Sequence, residues 1–404
     1  MAHHIAPKDN LVVVKSIDEN VERFQKEIEE DEAFWVGDFD RPRQSLNLWE
    51  QHLPDVKPYY AIKCCDEPVL LQFLANQGIG FDCASQDEIE RMIKYGADPT
   101  KIVFSHPLKS INALRAAKLN GVEKLVYDTE EELRKILKYY PEAEVYLRVK
   151  PKFTNAKIQL SNKFGAAPED VSHLLKITKE LKANFIGIAF HVGSLCDDIN
   201  TFKTALEYAS SLKAEAEEFG LNVCFIDIGG GFLPPNEKTN YSFQSIAQAI
   251  NDAIDQYFPN NDIEFIAEPG RFIGSEFMDL YLPVIGTRDH QNEDGSVSQS
   301  IFIPDGMYGS FNALTYDHAE PIFELCAAEE VKEEKKVSTT LWGQTCDSAD
   351  CIYENMQWPK IKTGDMLTIR RFSAYTYSPS SFFNGFHHHK VFFLNKDEET
   401  PNVL

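Results

Sequence analysis

"PYYAIKCCDEPVLLQFLANQGIGFDCASQDEIERMIKYGA", residues 58 to 97, reads twice as a short apolar run followed by a longer amphipathic one. "PYYAI" and "IGFDCA" have the length and aromatic, apolar content of buried strands. "EPVLLQFLANQG" and "SQDEIERMIKYGA" repeat apolar residues at helical spacing. Strand, helix and strand in this order build a parallel pair through a right-handed crossover.

The unit recurs along the chain. Further β-like runs are "KIVFS" (101–105), "KLVYD" (124–128), "EVYLRV" (144–149), "FIGIAFHV" (185–192), "NVCFIDI" (222–228) and "IEFIAE" (263–268), with helical stretches such as "SINALRAAKLNG" and "EEELRKILKYYP" between them. Eight strands alternating with helices over roughly 230 residues predict a closed parallel β/α barrel, whose usual size is about 250 residues. An open doubly wound sheet is the competing fold, but no GxGxxG fingerprint follows the first strand.

From about residue 278 helices become scarce, and "FMDLYLPVIGT", "SVSQSIFIP", "VSTTLWG", "MLTIRRF" and "KVFFLN" read as strands of a separate all-β domain. The acidic "DHQNEDGS" (289–296) fits a hairpin tip, and "AAEEVKEEKKVS" (327–338) a charged exposed connection. A first helix is expected within "SIDENVERFQKEIEED" (16–31).

The chain of 404 residues carries a formal charge of −23, which opposes nucleic acid phosphates and anionic membranes as partners. Its eight cysteines lack the density of a disulfide scaffold and form no CxxC pair. With no apolar signal core at the start and no run long enough to span a bilayer, a cytoplasmic protein with reduced thiols is expected. Three adjacent histidines, 387 to 389, raise the question of a metal. Strand alternation would point His388 away from its neighbours, so no metal site is expected there, only an exposed loop.

In a β/α barrel the reactive groups stand at the carboxyl ends of the strands. By that rule Lys63 closes the first strand, Asp82 lies on the second, Arg148 on the fifth, and "HVGS" (191–194), "DIGGGF" (227–232) and "EPGR" (268–271) follow the sixth to eighth. Gly229, Gly230 and Gly231 permit close backbone approach to an anion, and Arg271 adds a guanidinium for a phosphate. Glu88 has a structural role open to it, a capping box with Ser85. A strand-end lysine, a phosphate cradle and a carboxylate closing an apolar strand, Glu268, are the parts that pyridoxal phosphate chemistry requires.

The segments "YYAIKC", "GFDCASQDEI", "SNKFGA", "AFHVGS", "DIGGGF", "EPGRF", "DGMYGSFNALTYDHA", "WGQTCDSAD" and "YTYSPSSFFNGF", in this order over nearly the whole chain, resemble eukaryotic-type ornithine decarboxylase. That family has fold type III, the alanine racemase-like fold. The resemblance implies a pyridoxal phosphate-binding barrel at 39–277 and a β-sandwich or barrel domain formed by 1–38 with 278–404. It makes Lys63 the Schiff-base lysine and His191 the residue stacked on the cofactor ring. Ser194, Gly231, Gly270, Arg271 and Tyr375 are the implied phosphate contacts, Glu268 the pyridine-nitrogen partner, and Asp82 and Arg148 supporting polar residues.

The same resemblance implies a head-to-tail homodimer with shared active sites and an ion pair between Lys163 and Asp350 across its interface. Cys346, the implied proton-handling residue, and Asp347 would enter the partner's site. Asp317 and Asp347 would hold the distal ammonium of L-ornithine, with Tyr316 and Phe383 lining the pocket and putrescine as product. Lysine, one methylene longer, is expected as a weak side substrate.

Gln344, Tyr377, Pro379 and Phe382 depart from the family pattern, and the bulkier groups are expected to narrow the pocket and alter inhibitor response. The longer C-terminal extension through which some animal members are degraded is not expected; an antizyme remains an open partner. Alternatives are a decarboxylase of lysine, arginine or diaminopimelate, the last usually marked by "CES" where this chain has "CDS", and a non-catalytic paralogue of the antizyme-inhibitor kind. Retention of Lys63, Glu268, Arg271, Cys346 and Asp347 argues for catalysis.

Overall fold

The computed structural model describes residues 10–14, 19–28, 31–158, 163–235, 239–260, 262–326 and 335–394. The chain divides into two compact units. One is Arg43–Ile273; the other combines the described residues up to Pro42 with those from Gly274 onward.

In chain order the strands are β1 (Leu11–Val14), β2 (Phe34–Asp38), β3 (Val56–Ala61), β4 (Gly80–Cys83), β5 (Ile102–Phe104), β6 (Lys124–Tyr127), β7 (Glu144–Val149), β8 (Asn184–Phe190), β9 (Phe225–Asp227) and β10 (Glu264–Ala267). They continue as β11 (Met278–Pro283), β12 (Gly286–Gln291), β13 (Val297–Phe302), β14 (Phe323–Cys326), β15 (Val337–Trp342), β16 (Cys351–Trp358), β17 (Met366–Ile369) and β18 (Lys390–Leu394). Strands β3 to β10 close a parallel barrel in the order β10-β3-β4-β5-β6-β7-β8-β9.

The expected fold class is therefore observed, with each of the eight strand readings matched by a barrel strand. Tyr59, Val103, Val126, Tyr146, Ile186, Ala189, Phe225 and Ile266 meet in the barrel core. Glycines make room for these rings: a Cβ on Gly80 would lie 2.5 Å from the Tyr59 ring, and one on Gly187 would lie 1.8 Å from the Phe225 carbonyl oxygen. Helix starts follow the expected chemistry, with Ser85, Ser110 and Thr129 each accepting a hydrogen bond from the N–H three residues on.

The second unit has a six-stranded sheet, β1-β14-β17-β11-β2-β18, and a four-stranded one, β12-β13-β15-β16. Val21, Phe24, Phe34, Val36, Tyr281, Met366 and Phe392 form its core cluster. "FMDLYLPVIGT" is two strands rather than one. At Val284 and Ile285 the backbone changes partners, from Asp365 O to Phe302 O, and so passes from one sheet to the other. The "DHQNEDGS" tip joins the antiparallel pair β12 and β13 as expected, whereas most of "AAEEVKEEKKVS" lies outside the described residues. Strands β1, β2, β14 and β16 carried too little alternation to be read.

Asp279 anchors this unit. Its carboxylate takes Arg41 through two bonds of 2.7 and 3.0 Å, Arg370 at 3.0 Å and the Arg371 N–H at 2.8 Å. Burial alone would raise its pKa, but the hydrogen bond and charge of Arg41 more than offset that and hold it below the usual value. No described helix is long and apolar enough to cross a membrane.

Candidate active site

Six barrel strands deliver the predicted groups to one mouth. Lys63 sits in the single 3₁₀ turn Ile62–Cys64 that follows β3. Ile62 and Cys64 are buried on either side of it, while the Lys63 side chain is 44 % exposed. The β3–β4 register sets Ala61 opposite Asp82, and Lys63 Nζ is ion-paired with the fully buried Asp82 carboxylate. The Ser105 hydroxyl, from the end of β5, donates to the other Asp82 oxygen. Ser105 was missed, although the strand-end rule that found Asp82 also covers it.

Glu88 makes a modified capping box. Its N–H donates to Ser85 Oγ at 3.2 Å, but its carboxylate accepts from Ala84 N at 2.5 Å rather than from Ser85. Burial and the neighbouring Asp82 charge raise its pKa. Cys64 and Cys65, adjacent to Lys63, are buried packing residues, and burial pushes the Cys65 thiol well above its ordinary range.

His191 follows β8, and its Nδ1 accepts the Gly193 N–H at 3.0 Å. Burial, then the charges of Arg148 and Lys63, drive its pKa well below the ordinary value, so the ring is neutral. The glycines after β9 fit against it. A Cβ on Gly229 would stand 2.3 Å from Phe190 O, and one on Gly230 2.9 Å from both His191 Nε2 and Glu268 O. Gly231, at φ +111°, would place a Cβ 2.6 Å from Gly193 O. Only glycine allows this triple approach.

Arg271 reaches Ser194 Oγ at 3.3 Å, which brings two of the expected phosphate contacts together. Beneath these loops Phe232 of "GGGF" and Phe272 of "GRF" pack on Trp49 with ring centroids 4.8 and 5.5 Å away. Trp49 is held by a 2.8 Å bond from its indole N–H to Val56 O. The "GGGF" and "EPGRF" loops are thus pinned by an aromatic cluster that sequence reading did not anticipate.

Glu268, just past β10, lies within electrostatic reach of the Asp227 carboxyl at the end of β9. Burial raises both; the Glu268 charge adds to this for Asp227, which lies well above its usual range, and the Asp82 charge adds to it for Glu268. A buried acidic pair of this kind is suited to the protonated nitrogen of a pyridine ring, and the glycine cradle with Arg271 and Ser194 is suited to a phosphate. The residues present therefore fit pyridoxal phosphate.

In the second unit, Tyr316 is exposed at the end of a one-turn helix, Ala313–Tyr316, and Asp317 directly after it is buried. Cys346 is exposed. Asp347 accepts from the Tyr308 hydroxyl at 2.5 Å, and the Tyr308 ring stacks on Phe383 at 4.3 Å. Hydrogen bonds from the Ala349 N–H and from Tyr308 hold the Asp347 carboxyl below the usual range. Tyr308 joins the candidate set as a residue that sequence reading missed within the quoted "DGMYGSFNALTYDHA". Tyr375 is half-buried, with a left-handed φ of +55°.

Asp350 is 1 % exposed and accepts the N–H groups of Met307 and Thr345 at 2.6 and 2.9 Å. Lys163, in the barrel unit, holds its ammonium 5.0 Å over the Phe164 ring. The departing residues Tyr377 and Phe382 pack on His388 at 4.7 and 5.3 Å. His387 and His388 both face Phe382 and do not alternate, because β18 begins only at Lys390.

The pyridoxal-dependent decarboxylase, pyridoxal binding domain family matches residues 40–275. Antizyme inhibitor 2 of Xenopus laevis is 38 % identical over 367 residues, 89 % of this chain and 80 % of that protein. Ornithine decarboxylase of Rattus norvegicus is 35 % identical over 373 residues, covering 90 % and 80 %. The arginine decarboxylase of Paramecium bursaria Chlorella virus superposes with a TM-score of 0.86 at 33 % identity, covering 93 % of this chain and 99 % of that one. A Lys63–Asp82 pair at the barrel mouth, a glycine cradle and these likenesses lead to one assignment: the chain belongs to the eukaryotic-type ornithine decarboxylase family of fold-type III pyridoxal phosphate proteins.

Proposed function

We propose that this protein decarboxylates L-ornithine to putrescine, the first step in making polyamines, as a cytoplasmic homodimer with shared active sites. The observation that carries this reading is Lys63: a strand-end amine at the barrel mouth, paired with buried Asp82 and within the electrostatic reach of His191 and Glu268. When bound, pyridoxal phosphate accepts the electron pair left on Cα as carbon dioxide departs.

The chain's own groups divide the remaining work. Lys63 supplies the amine that anchors the cofactor, and Asp82 with Ser105 fixes its position. Ser194, Gly229, Gly230, Gly231, Gly270, Arg271 and Tyr375 hold the phosphate, and neutral His191 lies against the ring. Glu268 faces the pyridine nitrogen, while Arg148 adds positive charge at the mouth. Asp317 and Asp347 receive the distal ammonium beside Tyr316 and Phe383, with Asp347 kept ionised by its Ala349 and Tyr308 hydrogen bonds. Cys346 Sγ holds the proton destined for Cα. Lys163 and Asp350 contribute to the dimer interface.

Product identification tests this. Purified protein with pyridoxal phosphate should release putrescine from ornithine faster than cadaverine from lysine or agmatine from arginine. Asp347→Asn should raise KM for ornithine by about tenfold, the scale of one charge-assisted hydrogen bond. A preference for lysine or arginine would overturn the substrate assignment.

A second reading rests on the 38 % identity to antizyme inhibitor 2: a paralogue that binds a regulatory protein without turnover. No amine from any of these substrates, with cofactor bound, would favour it.

A further inference from the structure

The histidine run is unused by the proposed chemistry, yet its last member is not free. His389 Nε2 lies 3.3 Å from Asp305 Oδ2, and the two side chains are 15 % and 1 % exposed. The other Asp305 oxygen accepts the Gly306 and Ser310 N–H groups at 2.7 and 2.9 Å. Burial would raise this carboxyl, but the facing His389 charge and the Ser310 hydrogen bond hold it below its usual value. The Oδ2 oxygen, buried and without a hydrogen bond of its own, has the His389 ring as its one facing charge among the described residues.

The loop that Asp305 organises carries Tyr308, and the segment that ends in His389 carries Phe383. Ser381 ties the near end of that segment to the loop, its N–H and hydroxyl each donating to Tyr308 O at 2.9 Å. His389 ties the far end. Between the two ties, Phe383 stacks on Tyr308, Tyr308 donates to Asp347, and Asn384 Oδ1 accepts the Cys346 N–H at 3.3 Å.

We propose that His389, through its pairing with Asp305, is a positioning residue for substrate binding: it straps the 381–389 segment down so that Phe383 and Tyr308 hold Asp347 in place. This rests on the reading that Asp347 receives the substrate's distal ammonium. The strap fixes the recognition side of the site and leaves the cofactor side alone, so its loss weakens binding and spares turnover of bound substrate.

Two readouts on the pyridoxal phosphate-loaded protein test it. In steady-state kinetics, His389→Ala should raise KM for ornithine about tenfold with kcat and cofactor content unchanged, the scale of one lost charged contact. His389→Gln, which keeps an N–H donor, should restore most of that loss. The second readout is the ¹⁹F resonance of 4-fluorophenylalanine placed at position 383. It should move toward its unfolded-state value in His389→Ala and stay in His389→Gln. If His389→Ala does not fold, His389→Asn, polar but too short to reach Asp305, takes its place with the same expectations. An unmoved fluorine resonance, or a KM that does not change, overturns the strap. A protein that turns over no substrate but whose fluorine resonance still responds to His389 contradicts the decarboxylase reading and supports the strap.

Discussion

Lys63 and Lys109 both follow barrel strands, and both face a carboxylate with no solvent exposure, Asp82 and Glu132. Yet they are opposite in kind. Lys109 is itself fully enclosed, with its ammonium at 3.0 Å from His106 O, 2.5 Å from Val126 O and 3.1 Å from Glu132. Three donors meet three acceptors. Burial lowers its pKa to about 8, against the opposing pull of Glu132. Lys63 stands instead at a mouth, with almost half of its side chain open to solvent. A pairing with a buried carboxylate therefore does not mark a reactive lysine. On the proposed reading Lys63 is marked by access, together with the groups converging on the same opening: a neutral histidine, a glycine cradle and the buried Glu268 and Asp227 carboxyls.

The contrast breaks if the two lysines respond alike to substitution. Lys63→Ala should reduce kcat on the order of 10⁴-fold or more, the scale for loss of a nucleophile or acid–base group, in protein whose circular dichroism is unchanged. Lys109→Ala should do the reverse. Removing one partner of a buried pair costs about 3 to 5 kcal/mol, readable in urea unfolding, with turnover per folded molecule retained. Equal loss of turnover in the two variants would erase the distinction.

A smaller effect sharpens it. Burial and charge repulsion raise Glu268 from its ordinary 4.5 to about 7, so the folded apoprotein holds a proton that the unfolded chain releases. The associated stability is fully present below about pH 4.5 and is lost as pH rises through about 7, amounting to about 1 to 3 kcal/mol. Apoprotein melting followed from pH 5 to 8 should show this decline, and Glu268→Gln should flatten it. A stability that instead rises across that window in a Glu268-dependent way would show the carboxyl lowered rather than raised.

The barrel was legible because its strands are continuous apolar runs separated by amphipathic helices, so that period and length agree. The strand-end rule then exposed Lys63, Asp82, Arg148, His191 and Glu268. Asp227 lies in a legible strand, but its place beside Glu268 depends on the β9–β10 register that sets it opposite Ile266. No local pattern encodes that register. The second unit was harder for the same reason. β16 carries polar residues and an asparagine at φ +58° in its middle, and its pairing with β15 shifts register. The histidine run was rightly read as an exposed loop at His387 and His388, but the alternation argument applied to residues that precede the strand. The Asp305–His389 pair joins segments distant in the chain, where only the fold can bring them together.

Borohydride reduction of the pyridoxal phosphate-loaded protein, followed by peptide mass spectrometry, tests the central distinction most directly. The account predicts a pyridoxyl group on Lys63 and an unmodified Lys109. A label on any other lysine, with Lys63 unmodified, would contradict it.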